Sequence, residues 1–253
     1  MPTKTSLHHA TASRGEGYLA PDSFARPPFG PGGGRLIALA LTGIAGSVVC
    51  AGLIHLGPGR SLNPVSRTFS DYVLVNEATW LFNTSVLSLA VGSAALLPGL
   101  AGRGAGRGMS RAAVPLVVWC GALLLVVLFQ TDPPSAPPSA SGTVHRYAGA
   151  AAFVSLPLAG LLLSHRLRLS PSVGTGALRV RLLSRASAAG VALFFVTHLA
   201  ATYPVMPEAE VLGRALGLAE RLLLITDIAL LCLLADLVGR MPRRVATCEV
   251  AAP

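Results

Sequence analysis

The sequence predicts an all-α polytopic membrane protein, with six transmembrane helices in one bundle and both termini in the cytoplasm. Three observations predict it. Of the 253 residues 52% are hydrophobic and only 12% charged, and mean hydropathy is +0.62, far from the balance of a soluble domain. Six apolar runs come close to the about 20 residues that cross a hydrocarbon core as a helix. Arginines gather in alternate connections between those runs.

Residues 1–34 are polar and rich in Gly and Pro, and are expected to be a disordered cytoplasmic tail. No cleavable signal peptide is expected, because the first apolar run is too long for a signal core. The six-helix domain is expected over 35–239. Its first run extends from Leu36 to about Leu56, its second from Thr79 to Leu100 and its third from Ala112 to Gln130. The fourth, Tyr147 to Ser164, is the shortest; the fifth covers Ala186 to Met206 and the sixth Arg221 to Val238. Residues 240–253 form a second cytoplasmic tail. None of the runs carries the polar stripe at helical period that a soluble bundle needs. Gly43, Ala45, Gly46 and Gly52 in the first run, and Gly149, Ala150, Ala152 and Gly160 in the fourth, suit close helix packing. Pro157 is a kink position of the kind membrane helices tolerate.

Orientation follows from arginine. Arg103, Arg107 and Arg111 lie between the second and third runs, Arg166, Arg168, Arg179, Arg181 and Arg185 between the fourth and fifth, and Arg240, Arg243 and Arg244 after the sixth. The other loops hold Arg60 and Arg67, Arg146, and Arg214. The richer side is the cytoplasm, and the chain is assigned to the cytoplasmic membrane. Net charge is +9, but these arginines determine topology and follow no helix face, which excludes nucleic acid as a partner. Membrane lipids are the expected surroundings. Cys50, Cys120, Cys232 and Cys248 show no CxxC and no metal spacing. Lys4 is the only lysine, and the wealth of Ala, Gly, Pro and Arg points to a GC-rich bacterial genome.

Chemistry gathers on the outer side. His55 ends the first run, and Asn63, Ser66, Arg67, Ser70, Asp71, Tyr72 and Glu77 follow in the loop. Thr131 and Asp132 end the third run, His145 and Arg146 open the fourth, His198 lies in the outer half of the fifth, and Glu220 and Arg221 open the sixth. Loops need polarity, but not His, Asp and Glu at four helix ends. For each residue solvation is the plain alternative, and Asp132-Pro133-Pro134 is also a helix stop. Asp227 lies about ten residues into the sixth run, where an acid costs roughly 2.5–3.5 kcal/mol on insertion scales. Glu220 is two turns earlier on the same face. Asp227 is read as a proton carrier or general acid, or alternatively as a neutral group bonded to a nearby Ser or Thr. Asp236 and Arg240 read as a surface ion pair.

The order NPVSRTFSDY, WLFN opening a span, a helix ending in TDP, HR opening the next and ER opening the last resembles the bacterial domain of unknown function 998 family, six-helix membrane proteins, over Leu36 to Val238. The resemblance implies fold and location, because the family has no established activity. The motif positions it carries are Ser70, Asp71, Phe82, Asn83, Asp132, His145, Glu220 and Arg221. The chain differs from intramembrane metal hydrolases, having only His198 where they carry HxxxH.

Three functional classes follow. The first is acid–base chemistry at the outer leaflet on a membrane-dissolved lipid or isoprenoid-like substrate. Asp71, Asp132, Glu220 and Asp227 would be its acids or bases and His145 its shuttle, with Asn63, Arg67, Ser70, Tyr72, Asn83, Arg146, His198 and Arg221 around the substrate. The side chains of Asp71, Asp132, His145 and Glu220 are expected to line one cavity. No nucleophile elbow or DDxxD motif accompanies them, and neither a metal nor a cofactor is named by the residues. A proton-coupled transporter is the second class, although no inverted repeat is evident. A non-catalytic membrane subunit is the third.

Overall fold

A computed structural model describes residues 31–103, 107–134, 136–167, 174–203 and 205–240. The expected tails over 1–30 and 241–253, with Arg243 and Arg244, and the loop residue Arg168 lie outside the described residues. Among the described residues eight α-helices appear in order: α1 Pro31–Leu56, α2 Asn76–Ala94, α3 Leu96–Arg103, α4 Arg107–Leu128, α5 Ala140–Leu167, α6 Gly174–Thr202, α7 Pro207–Gly213 and α8 Leu216–Arg240. Short 3-10 turns at Pro58–Ser61 and Ser70–Leu74 lie between α1 and α2, and no strand occurs among the described residues.

Among the described residues, five segments are long and apolar enough to cross a membrane: Gly34–Leu56, Asn76–Leu100, Ala140–Leu167, Thr175–Thr202 and Leu216–Arg240. The third expected run is shorter. Its apolar part is Ala113–Leu128, which at 1.5 Å per residue covers about 24 Å of a core about 30 Å thick. Arg111 bounds it on one side and Gln130 to Asp132 on the other.

Several boundaries differ from the sequence expectation, the largest at the fifth run, where α6 starts at Gly174 rather than Ala186 and takes in Arg179, Arg181 and Arg185. The fourth run is no short span: α5 has 28 residues, because Ser141 and Thr143, polar enough to suggest a loop, form its first turn. Glu220 and Arg221 do not open the last helix, since α8 starts at Leu216 and nothing between breaks it. The fifth run does not reach Met206; α6 stops at Thr202, and Pro207 starts the separate short helix α7 with Met206 extended before it.

The long helices form a ring in which α1 packs on α2, α2 on α4, α4 on α5, α5 on α6, α6 on α8, and α8 back on α1. Apolar residues fill both its interior, as with Trp119, Leu156, Leu223 and Leu230, and its outer face, as with Val49, Val117, Leu182 and Ile225. Such outward apolarity is what lipid contact demands. Small residues set the α1–α2 spacing: a Cβ on Gly43 would stand 2.7 Å from Gly92 Cα, and one on Gly92 2.8 Å from the Ala40 carbonyl. Polar pairs join the helices inside the ring. Ser85 Oγ donates to the Ser47 carbonyl at 2.9 Å, and Trp119 Nε1 donates to Ser93 Oγ at 3.0 Å. The C-terminal ends of α1, α4 and α6 and the N-terminal ends of α2, α5 and α8 lie together, so loops 57–75, 129–139 and 203–215 cap one end.

Candidate functional site

Loop 57–75 is shaped first by its own sequence. Asn63 Oδ1 accepts the Val65 amide at 2.9 Å, the Asx turn that Asn before Pro favours. Asp71 Oδ2 accepts the Thr68 amide at 2.9 Å, and the Thr68 and Ser70 hydroxyls are 3.0 Å apart. The folded loop then docks on the start of α8. The Leu218 amide, one of the unsatisfied donors of a first helical turn, donates to the Val65 carbonyl at 2.9 Å. Gly217 allows the approach, since a Cβ there would collide with the Arg67 and Pro64 carbonyls.

Glu220 and Arg221 fasten this junction. Glu220, 6% exposed, accepts the Phe69 amide through Oε2. Arg221 Nη1 donates to the carbonyls of Arg67 at 2.8 Å and Gly217 at 2.9 Å. Its Nη2 donates to Tyr72 Oη at 3.2 Å, and Nε and Nη2 reach His55 Nε2 at 3.2 and 3.1 Å. Arginine has no acceptor, so His55 Nε2 must accept and carries no proton. The proton sits on Nδ1, which donates to the Ala51 carbonyl at 2.7 Å. Tyr72, with its ring fully buried, packs against His55 at 5.0 Å between centroids and lies 5.6 Å from the Arg221 guanidinium carbon. Phe69 continues the cluster to Phe82, 5.3 Å away. Thr68 and Phe69 are not among the residues singled out from the sequence, and His55, counted with the outer-side chemistry, is given no role at the site. The available signal for His55 was its position at a helix end next to the motif-bearing loop.

A second cluster occupies the α4–α5 corner. Asp132 accepts from Ser139 twice, from the amide at 2.9 Å and the hydroxyl at 2.6 Å. Ser139 Oγ in turn accepts the Gly142 amide at 3.0 Å, which makes Ser139 the N-cap of α5. The Ser139 hydroxyl and amide hold the Asp132 carboxyl below its usual range. His145 is buried, and its Nδ1 faces the carbonyls of Phe129 at 2.8 Å and Val126 at 3.2 Å. Those carbonyls end α4 without intrahelical partners, so the imidazole donates to them as a C-terminal cap. TDP and HR thus serve two helix ends that meet at one corner.

The four residues expected in one cavity divide between these clusters. Asp71 and Glu220 belong to the α8 junction and Asp132 and His145 to the corner, and no hydrogen bond or ion pair among the described residues joins the pairs. The remaining sites are dispersed. Asp227, 1% exposed, lies deep in α8, where its Oδ1 accepts from Ser187 Oγ of α6 at 2.6 Å. Its Oδ2, like Asn83 Oδ1 in α2, is buried without a partner among the described residues. His198 is half-buried and stacked on Phe194 at 6.0 Å. Arg67 and Arg146 are exposed. Asp236 pairs with Arg240 at 2.8 Å, as expected. Among the described residues, no group of three or more His, Cys, Asp or Glu side chains could hold a metal ion.

An all-helical ring with apolar faces inside and out, several membrane-length helices and a polar cap defines a multi-pass helical membrane protein. The family described as "Protein of unknown function (DUF998)" matches residues 41–236, a span holding all the motifs above, and the chain belongs to that family. No curated protein and no solved structure matches the chain.

Proposed function

We infer that this is a six-crossing protein of the bacterial cytoplasmic membrane, with both termini inside, and that its motifs act by fastening loops to helix ends in a non-catalytic membrane component. The observation that carries this reading is Arg221. All five N–H donors of its guanidinium are engaged within the protein, leaving none for a substrate anion. Asp132, His145 and Glu220 engage backbone groups in the same manner. The sixth crossing is α4, whose short apolar part suits local thinning of the bilayer at modest cost. The arginine asymmetry supports placing the capped end outside.

A second reading, proton handling at Asp227, is favoured by the unpartnered Oδ2 in a buried carboxyl. Acid–base chemistry on a membrane-dissolved lipid requires Glu220 or Asp132 to exchange its backbone partner for substrate, and is the weaker alternative.

A carboxyl-to-amide series separates them in a strain lacking the gene. Under the fastening reading E220Q and D132N restore the wild-type phenotype, because an amide oxygen still accepts a backbone donor. Loss of phenotype in well-folded E220Q or D132N supports catalysis, and loss confined to D227N supports proton handling. Topology is checked in a cysteine-free background with cysteines at Asn63 and Arg240. Labelling of Arg240→Cys but not Asn63→Cys by an impermeant reagent from outside reverses the orientation.

A further inference from the structure

We propose that His55 makes the junction of loop 57–75 with α8 an acid-released latch: a second proton on its imidazole breaks the contact with Arg221 and frees the loop. The inference rests on the fastening reading and names the condition that undoes it. His55 stands where α1, the loop and α8 meet. Its Nδ1 donates to the Ala51 carbonyl of α1 at 2.7 Å. Its ring lies parallel to Phe69 at 6.1 Å and tilted to Tyr72 at 5.0 Å. Its Nε2 accepts from Nε and Nη2 of Arg221 at 3.2 and 3.1 Å. Both ring nitrogens are in use, and Nε2 serves only as an acceptor. Imidazole is also the side chain that gains a charge between about pH 5 and 8.

A proton on Nε2 abolishes that acceptor. It sets one N–H against two guanidinium N–H groups and one cation against another, which disfavours the contact. The ring does not turn aside by itself, because Nδ1 ties it to α1 and the Phe69 and Tyr72 rings flank it. The displacement falls instead on Arg221, whose Nη1 holds the Arg67 carbonyl at 2.8 Å, and so on the loop. Among the described residues no carboxylate bonds to the ring to neutralise it. Of the charged and titratable groups around it, α8 supplies Arg221 and Glu220, and Glu220 is occupied by the Phe69 amide. The loop supplies Asp71, occupied by the Thr68 amide, Tyr72, whose hydroxyl accepts from Arg221, and the exposed Arg60 and Arg67. The start of α2 supplies the exposed Glu77. The closed junction excludes the proton and the open one admits it, so acid opens the latch and neutral pH closes it. With the capped end outside, the latch answers to the external medium.

The experiment is hydrogen exchange of the purified full chain in detergent, read at the Leu218 and Phe69 amides and corrected for the intrinsic pH dependence of exchange. It is run at about pH 7.5 and about pH 5, across the range in which imidazole takes up its second proton. One proton changes an equilibrium by up to about tenfold per pH unit, so protection of both amides in the wild type should fall about tenfold or more at the lower pH. His55→Gln offers Arg221 an amide oxygen that takes up no proton, and should stay protected at both. Glu220→Gln removes the carboxyl of the same junction and should still open with acid. If His55→Gln does not accumulate, the ring nitrogen NMR shifts of wild-type His55, assigned through its contact with the Tyr72 ring, carry the test: Nε2 should be bare at the higher pH and gain its proton as protection is lost. An Nε2 already protonated at the higher pH overturns the proposal. Wild-type protection that acid leaves unchanged also overturns it while the fastening reading stands, as does acid opening that persists in His55→Gln or disappears in Glu220→Gln. Amides unprotected in the wild type at the higher pH would remove the fastening reading, and the proposal with it.

Discussion

Replacing Arg221 by Met should detach loop 57–75 from α8 without removing any apolar packing at that position. Its guanidinium supplies the bonds to His55 Nε2, Tyr72 Oη and the Arg67 carbonyl, while the Gly217 carbonyl lies one turn earlier in the same helix and keeps the helical ladder. A hydrogen bond to a charged group contributes about 1.5–3 kcal/mol. The three acceptors share one donor group, so the losses do not add, and a total of about 3 kcal/mol is expected. For a chain of this size that is a fall in Tm of about 6–12 °C. Arg221→Lys keeps the charge but cannot span three divergent acceptors, and should recover less than half of the loss. Glu220→Gln still accepts the Phe69 amide and should cost under about 1 kcal/mol. Thermal unfolding in detergent reads the stability, and hydrogen exchange at the Leu218 and Phe69 amides reads the docking. If Arg221→Lys unfolds with the wild type, or if those amides stay protected in Arg221→Met, the guanidinium does not hold the loop and the fastening reading fails.

Gly217→Ala should reproduce much of the Arg221→Met exchange pattern with every charge intact, because the added methyl meets the Arg67 and Pro64 carbonyls; unchanged exchange would mean the loop is not seated there. The Asp132 carboxyl titrates below its unfolded value of about 3.9, so its contribution to the corner is complete above that pH and is lost as pH falls through the folded-state value. Asp132→Asn should remove this acid-dependent part of α5 N-terminal protection, and an unchanged pH profile would show that Ser139 caps the helix unaided. Asp227→Leu leaves the Ser187 hydroxyl without its acceptor and should cost about 1–3 kcal/mol, whereas Asp227→Asn should be close to neutral in thermal unfolding; equal Tm values for the two would remove the α6–α8 hydrogen bond from the account.

The helical architecture was legible because apolar runs of membrane length are hard to place anywhere else. The boundaries that escaped notice were polar helical turns: Ser141, Thr143 and His145 in α5 lack the apolar signature that marks a span, although caps and first turns favour such residues. The grouping of chemistry at helix ends was legible too, since NPVSRTFSDY and ER do meet across the junction. Their partners were not. Glu220, Arg221, His145 and Asp132 mostly engage backbone carbonyls and amides, which every residue carries, so no spacing of side chains reveals the pairing. The division into two clusters was hidden for the same reason: helix ends gathered at one end of a bundle are neighbours, but the ring order decides which of them touch. The Asp227–Ser187 bond joins helices 40 residues apart, and only its class of partner, a Ser or Thr, followed from the cost of an acid at that depth.

The Arg221–His55 contact joins the first long helix to the last, 166 positions later. During synthesis, residues leave the ribosome at about 5–20 per second, so loop 57–75 waits on the order of ten seconds or more for its counterpart in α8 to emerge. Throughout that interval Tyr72 Oη and His55 Nε2 lack the Arg221 guanidinium, and the Phe69 amide lacks Glu220. A chain cut short before α8 would leave those groups without these partners permanently, and so would differ from a finished molecule at its first loop. Ring closure therefore makes the last helix the step at which the first loop acquires its mature shape.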